Sequence, residues 1–284
     1  MGSQQTDPKT PKGAATSVAQ TMSGYKSDLT DEEWGILEPL VVNKHKGAGR
    51  PLALELRAVV NGILYVVRTG CQWAYLPHEY PNFNSVYYHF NKWCKAGLWE
   101  AINTALRERV RRADDREAQP SVAILDSQSV KTTEVGGEHG FDGGKKVNGR
   151  KRHILVDTMG NLLSVIAHAA NIGEREGAKR LLAQLPEPLW ERLEKILADG
   201  GYEGVEFQAW VKATFGVELD ISVRPPNTKG FIPLPQRWVV ERAFGWFGRS
   251  RRLSKDYEML TQNSQGMVYL ASIQRLLTHV ASAT

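Results

Sequence analysis

The sequence predicts a mixed α+β and α/β chain: an all-helical unit over residues 28–115, then a mixed β-sheet flanked by helices over 120–284. Three observations predict it. Residues 28–113 carry apolar positions at helical spacing. After the polar break Asp114-Asp-Arg-Glu-Ala-Gln-Pro120, short apolar runs bounded by turn residues take over. Those runs alternate with helical stretches in the order strand, β-hairpin, helix, strand, helix, strand, helix.

Residues 1–27 are small and polar and are expected to be a disordered tail. Thr30-Asp-Glu-Glu33 is a capping box that opens the first helix, followed by the apolar stripe Trp34, Leu37, Leu40. Gly47-Ala-Gly-Arg-Pro51 breaks the chain. Leu56, Val59, Val60, Ile63, Leu64 and Val67 mark a helix over 53–68. Pro77 and Pro81 bracket a turn, and Gly97 separates helices over 84–95 and 98–112. A buried-type strand is expected over 122–126, and the Gly- and Lys-rich stretch 131–150 reads as a loop. Runs at 153–157 and 162–168 flank Thr158-Met-Gly-Asn161, a hairpin signal. Helices at 174–185, 205–214, 236–249 and 266–280 and strands at 195–198 and 218–223 complete the order, with Pro225-Pro226 ending the last strand.

That order matches a ribonuclease H-like fold, a mixed sheet with three leading strands and helices on both faces. In this layout the first strand is central and the strand that ends at Asp199 lies beside it. Asp126 and Asp199 would then meet at neighbouring strand ends, and the helix carrying Glu241 would aim its carboxylate at the same point. Two divalent ions about 3.5–4 Å apart can activate a nucleophile and stabilise a leaving oxygen in phosphodiester chemistry. Mg²⁺ or Mn²⁺ suits such a set, because hard cations take carboxylate, phosphate and water oxygens. Asp126 is the bridging candidate, with Asp199 on one ion and Glu241 on the other. Each acid alone also has a bland reading: a strand-end Asp as a turn or cap residue, a helical Glu as a solvated charge. Asp157 is better explained by the hairpin turn and Asp142 by its loop.

Composition narrows the field. An apolar fraction of 42% fits a globular chain with a core, and the net charge of +5 fits a polyanionic partner. Cys71 and Cys94 lack metal-ligand spacing and read as reduced thiols. His139, His153 and His168 lack zinc-site spacing. No apolar run reaches the roughly 18–20 residues of a membrane helix, and the first 24 residues lack the apolar core of a secretion signal.

Two basic clusters flank the expected acids. One is Lys145, Lys146, Arg150, Lys151 and Arg152. The other, Arg237, Arg242, Arg249, Arg251, Arg252 and Lys255, surrounds Glu241. With Lys131 they are expected to neutralise DNA phosphates, although basic runs also occur as solvated faces. Trp246 and Phe247 read as core residues or as stacking platforms. The helix over 84–95 offers Asn84, Ser85, Tyr88, Asn91 and Lys92 to a DNA groove, or is an ordinary bundle surface. Arg50, with Lys44 and Lys46, could form a backbone or minor-groove arm.

Several segments together resemble a DDE transposase of bacterial insertion sequences, of the insertion-sequence-five type. They are Asp126-Ser-Gln-Ser-Val-Lys-Thr132, Gly149-Arg-Lys-Arg-His-Ile-Leu-Val-Asp-Thr158, Leu197-Ala-Asp-Gly-Gly-Tyr202, Arg237-Trp-Val-Val-Glu-Arg-Ala-Phe-Gly-Trp246 and Arg251-Arg-Leu-Ser-Lys-Asp-Tyr-Glu258. Leu29-Thr-Asp-Glu-Glu-Trp34, Gly49-Arg-Pro51, Gly70-Cys-Gln-Trp73 and Leu76-Pro77 extend the resemblance to the N-terminal helices. It implies that Asp126, Asp199 and Glu241 are the metal-binding triad and that Arg237 is the arginine of the family's Arg-x₃-Glu motif. Related groups place a tyrosine where this chain has Leu234, and a basic residue where it has Gly248 followed by Arg249. The resemblance further implies cleavage and strand transfer at terminal inverted repeats of double-stranded DNA. It also implies a homodimer or larger synaptic complex, no membrane, and a cytoplasmic, nucleoid-associated location. The rival readings are a DNA-binding descendant that lost strand transfer and a nuclease of the same fold.

Overall fold

The computed structural model describes residues 24–42, 55–222 and 238–282. The helical unit contains α1 (Asp31–Val42), α2 (Leu56–Thr69), α3 (Phe83–Lys95) and α4 (Leu98–Ala113). The capping box forms as the sequence requires: the Thr30 amide donates to Glu33 Oε2 (3.1 Å) and the Glu33 amide to Thr30 Oγ1 (3.2 Å). Asn82 caps α3 by accepting from the Asn84 amide at 2.9 Å. Gly70 ends α2 at φ +72°, in the left-handed region that favours glycine.

The sheet contains β1 (Val122–Lys131), β2 (Gly140–Asp142), β3 (Val147–Asp157), β4 (Leu162–Ala169), β5 (Lys195–Asp199) and β6 (Glu218–Ser222). Its order is β2-β3-β1-β5-β6, and β4 pairs with β3 next to β2. The strands β3 and β4 run antiparallel to their neighbours, whereas β1, β5 and β6 are parallel. This is the expected ribonuclease H-like arrangement, with β1 central and the strand of Asp199 beside it. The helices are α5 (Glu174–Ala183), the short α6 (Glu187–Trp190), α7 (Val205–Phe215), α8 (Trp238–Phe247) and α9 (Thr261–Ser282).

Strand alternation assigns the two faces. Ala123, Leu125, Ile196 and Ala198 pack with Leu181 and Leu182 of α5 and Phe207 and Val211 of α7. Ile124, Ile154 and Leu197 pack on the opposite face with Val239, Val240, Ala243 and Phe247 of α8, and with α9. The same cluster takes in Leu64, Phe90, Trp99 and Leu106 of the helical unit, so that unit and the sheet share one apolar core. Polar links cross the seam: Asn103 donates to the Leu162 carbonyl at 2.8 Å, and Arg111 pairs with buried Asp157 at 2.8 Å. Asp157 also caps the hairpin through the amides of Met159 and Asn161 (both 2.9 Å), so it is the turn residue the sequence suggests.

The stretch 131–150 departs from the expected loop. β1 continues to Lys131, and β3 pairs with it from Ala123↔Asp157 to Lys131↔Gly149. Gly149 allows this approach, since a Cβ there would overlap the Val130 carbonyl. The basic character that suggested a loop is accommodated by internal carboxylates, described below.

Candidate active site

Ile124 of β1 is level with Leu197 of β5 in the parallel register. Two residues further along each strand stand Asp126 and Asp199, on the face that Ile124 and Leu197 share. Both are half-buried. Asp126 Oδ1 accepts from the Ser127 amide at 2.7 Å, and Asp199 Oδ1 from the Gly201 amide at 2.9 Å. The latter bond opens the 3₁₀ turn Gly200–Tyr202. Burial, and then the negative charges of Glu174, Asp126 and Asp199, push the Tyr202 hydroxyl well above its usual range.

Glu241 lies on α8, the helix packed over this same sheet face. Val239, Val240 and Ala243 turn to the sheet, while Glu241 is exposed. Arg242 donates to the Met159 carbonyl at 3.0 Å, which places its flank over the β3–β4 turn. Glu241, 100° back around the axis, is turned from that flank. Among the described residues, no three His, Cys, Asp or Glu side chains already converge as a metal-binding group. Carboxylate oxygens such as those of Asp126, Asp199 and Glu241 are of the hard donor type that suits a divalent cation.

Behind Asp126 lies a network that sequence reasoning missed. Ser127 Oγ donates to Glu174 Oε2 at 2.7 Å. The same carboxylate lies 3.0 Å from His153 Nε2, 3.2 Å from Lys151 Nζ and 3.4 Å from Lys145 Nζ. Lys145 Nζ donates to both the carbonyl and Oγ of Ser127 at 3.1 Å. His168 Nε2 is 3.0 Å from His153 Nδ1. Burial pulls the His168 imidazole down to about 4 and lowers that of His153 as well. Burial alone would raise Glu174, but hydrogen bonds from His153 and Ser127, with nearby positive charge, hold it well below the usual carboxylate range. Gly177 of α5 lets the helix pass, because a Cβ would overlap His153 and His168. The one available sequence signal was hairpin register, which sets Ser127 opposite His153 and Lys151 opposite His168.

Much of the expected phosphate-binding set is buried, and for those residues the expectation is corrected. Arg150, Lys151 and Arg152 are 0%, 4% and 3% exposed. Arg150 donates to Asp256 (3.1 Å) and to the carbonyls of Glu258 and Met259. Arg152 donates to the carbonyls of Leu253 and Lys255, and Lys151 to that of Ile172. Arg252 is buried against Glu258 at 2.8 Å. Arg242 is half-buried between the rings of Trp238 and Trp246, at 4.4 and 4.7 Å. Lys131, Lys146, Arg249, Arg251 and Lys255 are exposed, and Lys145 is partly so. Phe247 is buried. On α3, Asn84, Tyr88 and Lys92 form an exposed stripe at every fourth position, and Asn91 is half-buried. Arg50, Arg237, Leu234, Lys44 and Lys46 lie outside the described residues.

Comparison with known proteins decides the family. A family described as "Transposase DDE domain" matches residues 117–274. The chain belongs to the DDE transposases of insertion sequences. A second family, described as "Putative transposase of IS4/5 family", matches residues 29–103 of this transposase. A relative, the "Insertion element IS402 uncharacterized 16.2 kDa protein" of Burkholderia cepacia, is 32% identical over 117 residues. That match covers 39% of this chain and 78% of the relative. The transposase is thus an enzyme that cleaves and transfers DNA, with divalent metal ions as cofactor. No helix among its described residues is long and apolar enough to cross a membrane.

Proposed function

We propose that this transposase binds the terminal inverted repeats of its element, hydrolyses a phosphodiester at each end and joins the freed 3′-hydroxyl to target DNA. Asp126, Asp199 and Glu241 hold the metal ions, two of Mg²⁺ or Mn²⁺. The observation that supports the reading is the β1–β5 register, which pairs Ile124 with Leu197, two residues before Asp126 and Asp199, on the sheet face that α8 covers. Bound there, divalent ions supply Lewis acidity for the attacking and leaving oxygens. The chain supplies rigidity: Lys145 and Glu174, the latter held by His153, clamp Ser127 and so fix the backbone that bears Asp126. Residues 28–115 serve recognition, with Asn84, Tyr88 and Lys92 of α3 facing a DNA groove. Residues 120–284 serve catalysis. Arg237 acts with Glu241, and Lys131, Lys146, Arg249, Arg251 and Lys255 contact phosphates. Two ends must be handled together, so a homodimer or larger synaptic assembly is part of the reading, as is a cytoplasmic, nucleoid-associated setting.

The test is a cleavage and strand-transfer assay on the element's own inverted-repeat ends with Mg²⁺ or Mn²⁺. Wild type should nick and join, and Asp126→Ala and Asp199→Asn should bind the ends but do neither. A wild type that binds the ends yet never cuts would leave a DNA-binding module. Full activity in the substituted proteins would remove the triad.

A further inference from the structure

The end of α8 borders a cleft of about 600 Å³ between the helical unit and α9. Its cations are Lys26, Arg68 of α2, Arg249 in the turn after α8 and Arg275 of α9. Two acids, Asp28 and Glu33, also line it, but each already accepts at both oxygens. Asp28 takes the Tyr25 amide and the Tyr80 hydroxyl, and Glu33 the Thr30 amide and the Thr278 hydroxyl. Lys26, Arg68 and Arg249 are exposed and make no ion pair with the described residues. Arg275 is half-buried over one side of Trp246 (4.2 Å), and Arg242 lies 4.7 Å from the same ring. Burial lowers Arg275; the Asp157 carboxylate opposes this, and repulsion from Arg242 adds to it. Lys26, Arg68, Arg249 and Arg275 thus outnumber the acids Asp28 and Glu33 around the cleft, and this excess of positive charge favours an anion there.

The approach to the cleft carries a second, independent observation. Gly245 sits inside α8 with open space where a Cβ would be, and no positive φ requires glycine there. Alanine would stabilise such a helix position by about 1 kcal/mol. Nothing within the fold asks for the missing side chain. Glu241 and Gly245 stand four residues apart on one exposed stripe of α8, and Arg249 is exposed in the turn that follows the helix. That turn brings Arg249 to the cleft's edge.

We infer that this stripe and cleft hold the sugar–phosphate backbone of the DNA being cut. The inference rests on the function proposed above. Gly245 lets the backbone lie against the helix. Arg249, Arg68 and Lys26 neutralise successive phosphates beyond the reacting one, coupling the helical unit to the catalytic strand ends. The guanidinium groups beside Trp246 keep that indole from acting as a base-stacking surface and leave the site selective for the backbone.

The experiment measures affinity of the full-length protein for a duplex carrying the element's end, between 50 and 200 mM salt. The variants are Arg68→Ala, Arg249→Ala, Gly245→Leu and, on the far face of the sheet, Lys212→Ala. Each arginine variant should lower the slope of log affinity against log salt by about 0.9, the value of one phosphate contact. Gly245→Leu should weaken binding at least tenfold with no fall in melting temperature, and Lys212→Ala should change neither quantity. Wild-type affinity and slope in both arginine variants and in Gly245→Leu, with wild type still cutting the ends, would overturn this inference alone. A wild type that neither binds nor cuts the ends would overturn the proposed function and this inference with it.

Discussion

Two sets of basic residues have opposite fates in the fold. The run Arg150-Lys-Arg152 lies on β3 and is fully internal, whereas Arg249, Arg68 and Lys26 face an open cleft. The difference is the supply of carboxylates and carbonyls. Asp256 pairs with both Arg150 and Arg152, and Asp142 and Glu174 pair with Lys151. Arg249, Arg68 and Lys26 form no ion pair with the described residues and share their cleft with only two acids, Asp28 and Glu33. Charge density along a chain therefore says little about surface potential until the internal acids are located.

The largest effect that should follow is on the buried side of this contrast. Arg150→Ala removes one of the two guanidinium partners of buried Asp256 and the donor to the carbonyls of Glu258 and Met259, and should cost about 3–5 kcal/mol of stability in chemical denaturation. A loss below 1 kcal/mol would mean that the run is not a structural clamp.

Acid should act on the same side through the histidine pair. His168 titrates near 4 when folded and near 6.5 when unfolded, so between those values the unfolded chain binds the extra proton. Stability should therefore be intact above pH 6.5 and fall as pH drops toward 4, by up to about 3 kcal/mol. Depressed Glu174 works in the same direction, losing its contribution as pH falls through the carboxylate range. Melting temperatures across this window check the sign; a protein more stable at pH 5 than at pH 7 would refute it.

Gly177→Ala should cost about 1–3 kcal/mol, because the methyl must displace the imidazoles of His153 and His168. The expected companion is a slower cleavage rate as Ser127 shifts. An unchanged melting temperature would show that α5 can move aside.

The smallest stability effects belong to the open region. Arg249→Ala and Arg68→Ala should alter stability by no more than about 0.5 kcal/mol, as exposed unpaired side chains do. Destabilisation of 2 kcal/mol or more, on the order of a buried network, would place them on the other side of the comparison.

The fold was legible in the sequence because apolar periodicity reports burial on each strand and helix. The hairpin, the central β1 and its pairing with the strand of Asp199 all followed from element order. The strand β2 was not legible, since Gly140-Phe-Asp142 is too short to alternate. The extension of β3 was hidden by its own Arg and Lys residues, whose partner Asp256 lies 106 positions from Arg150. The aspartates of the candidate site could be found because each ends an apolar run. Glu174, His153 and Lys145 could not, because their meeting depends on tertiary packing of α5 on the sheet. The union of the helical unit with the sheet was likewise invisible: it depends on α9 packing against both α4 and β4, which no local pattern encodes.

The central claim is that Asp126, Asp199 and Glu241 act as one metal site although Glu241 comes from a separate helix. Its most direct test is Mn²⁺ titration followed by electron paramagnetic resonance, on the protein bound to end DNA. Asp126→Asn, Asp199→Asn and Glu241→Gln are compared with wild type at matched DNA occupancy. The account predicts that each substitution weakens the same Mn²⁺ binding. Wild-type Mn²⁺ affinity in Glu241→Gln, alongside loss in the two aspartate variants, would contradict it.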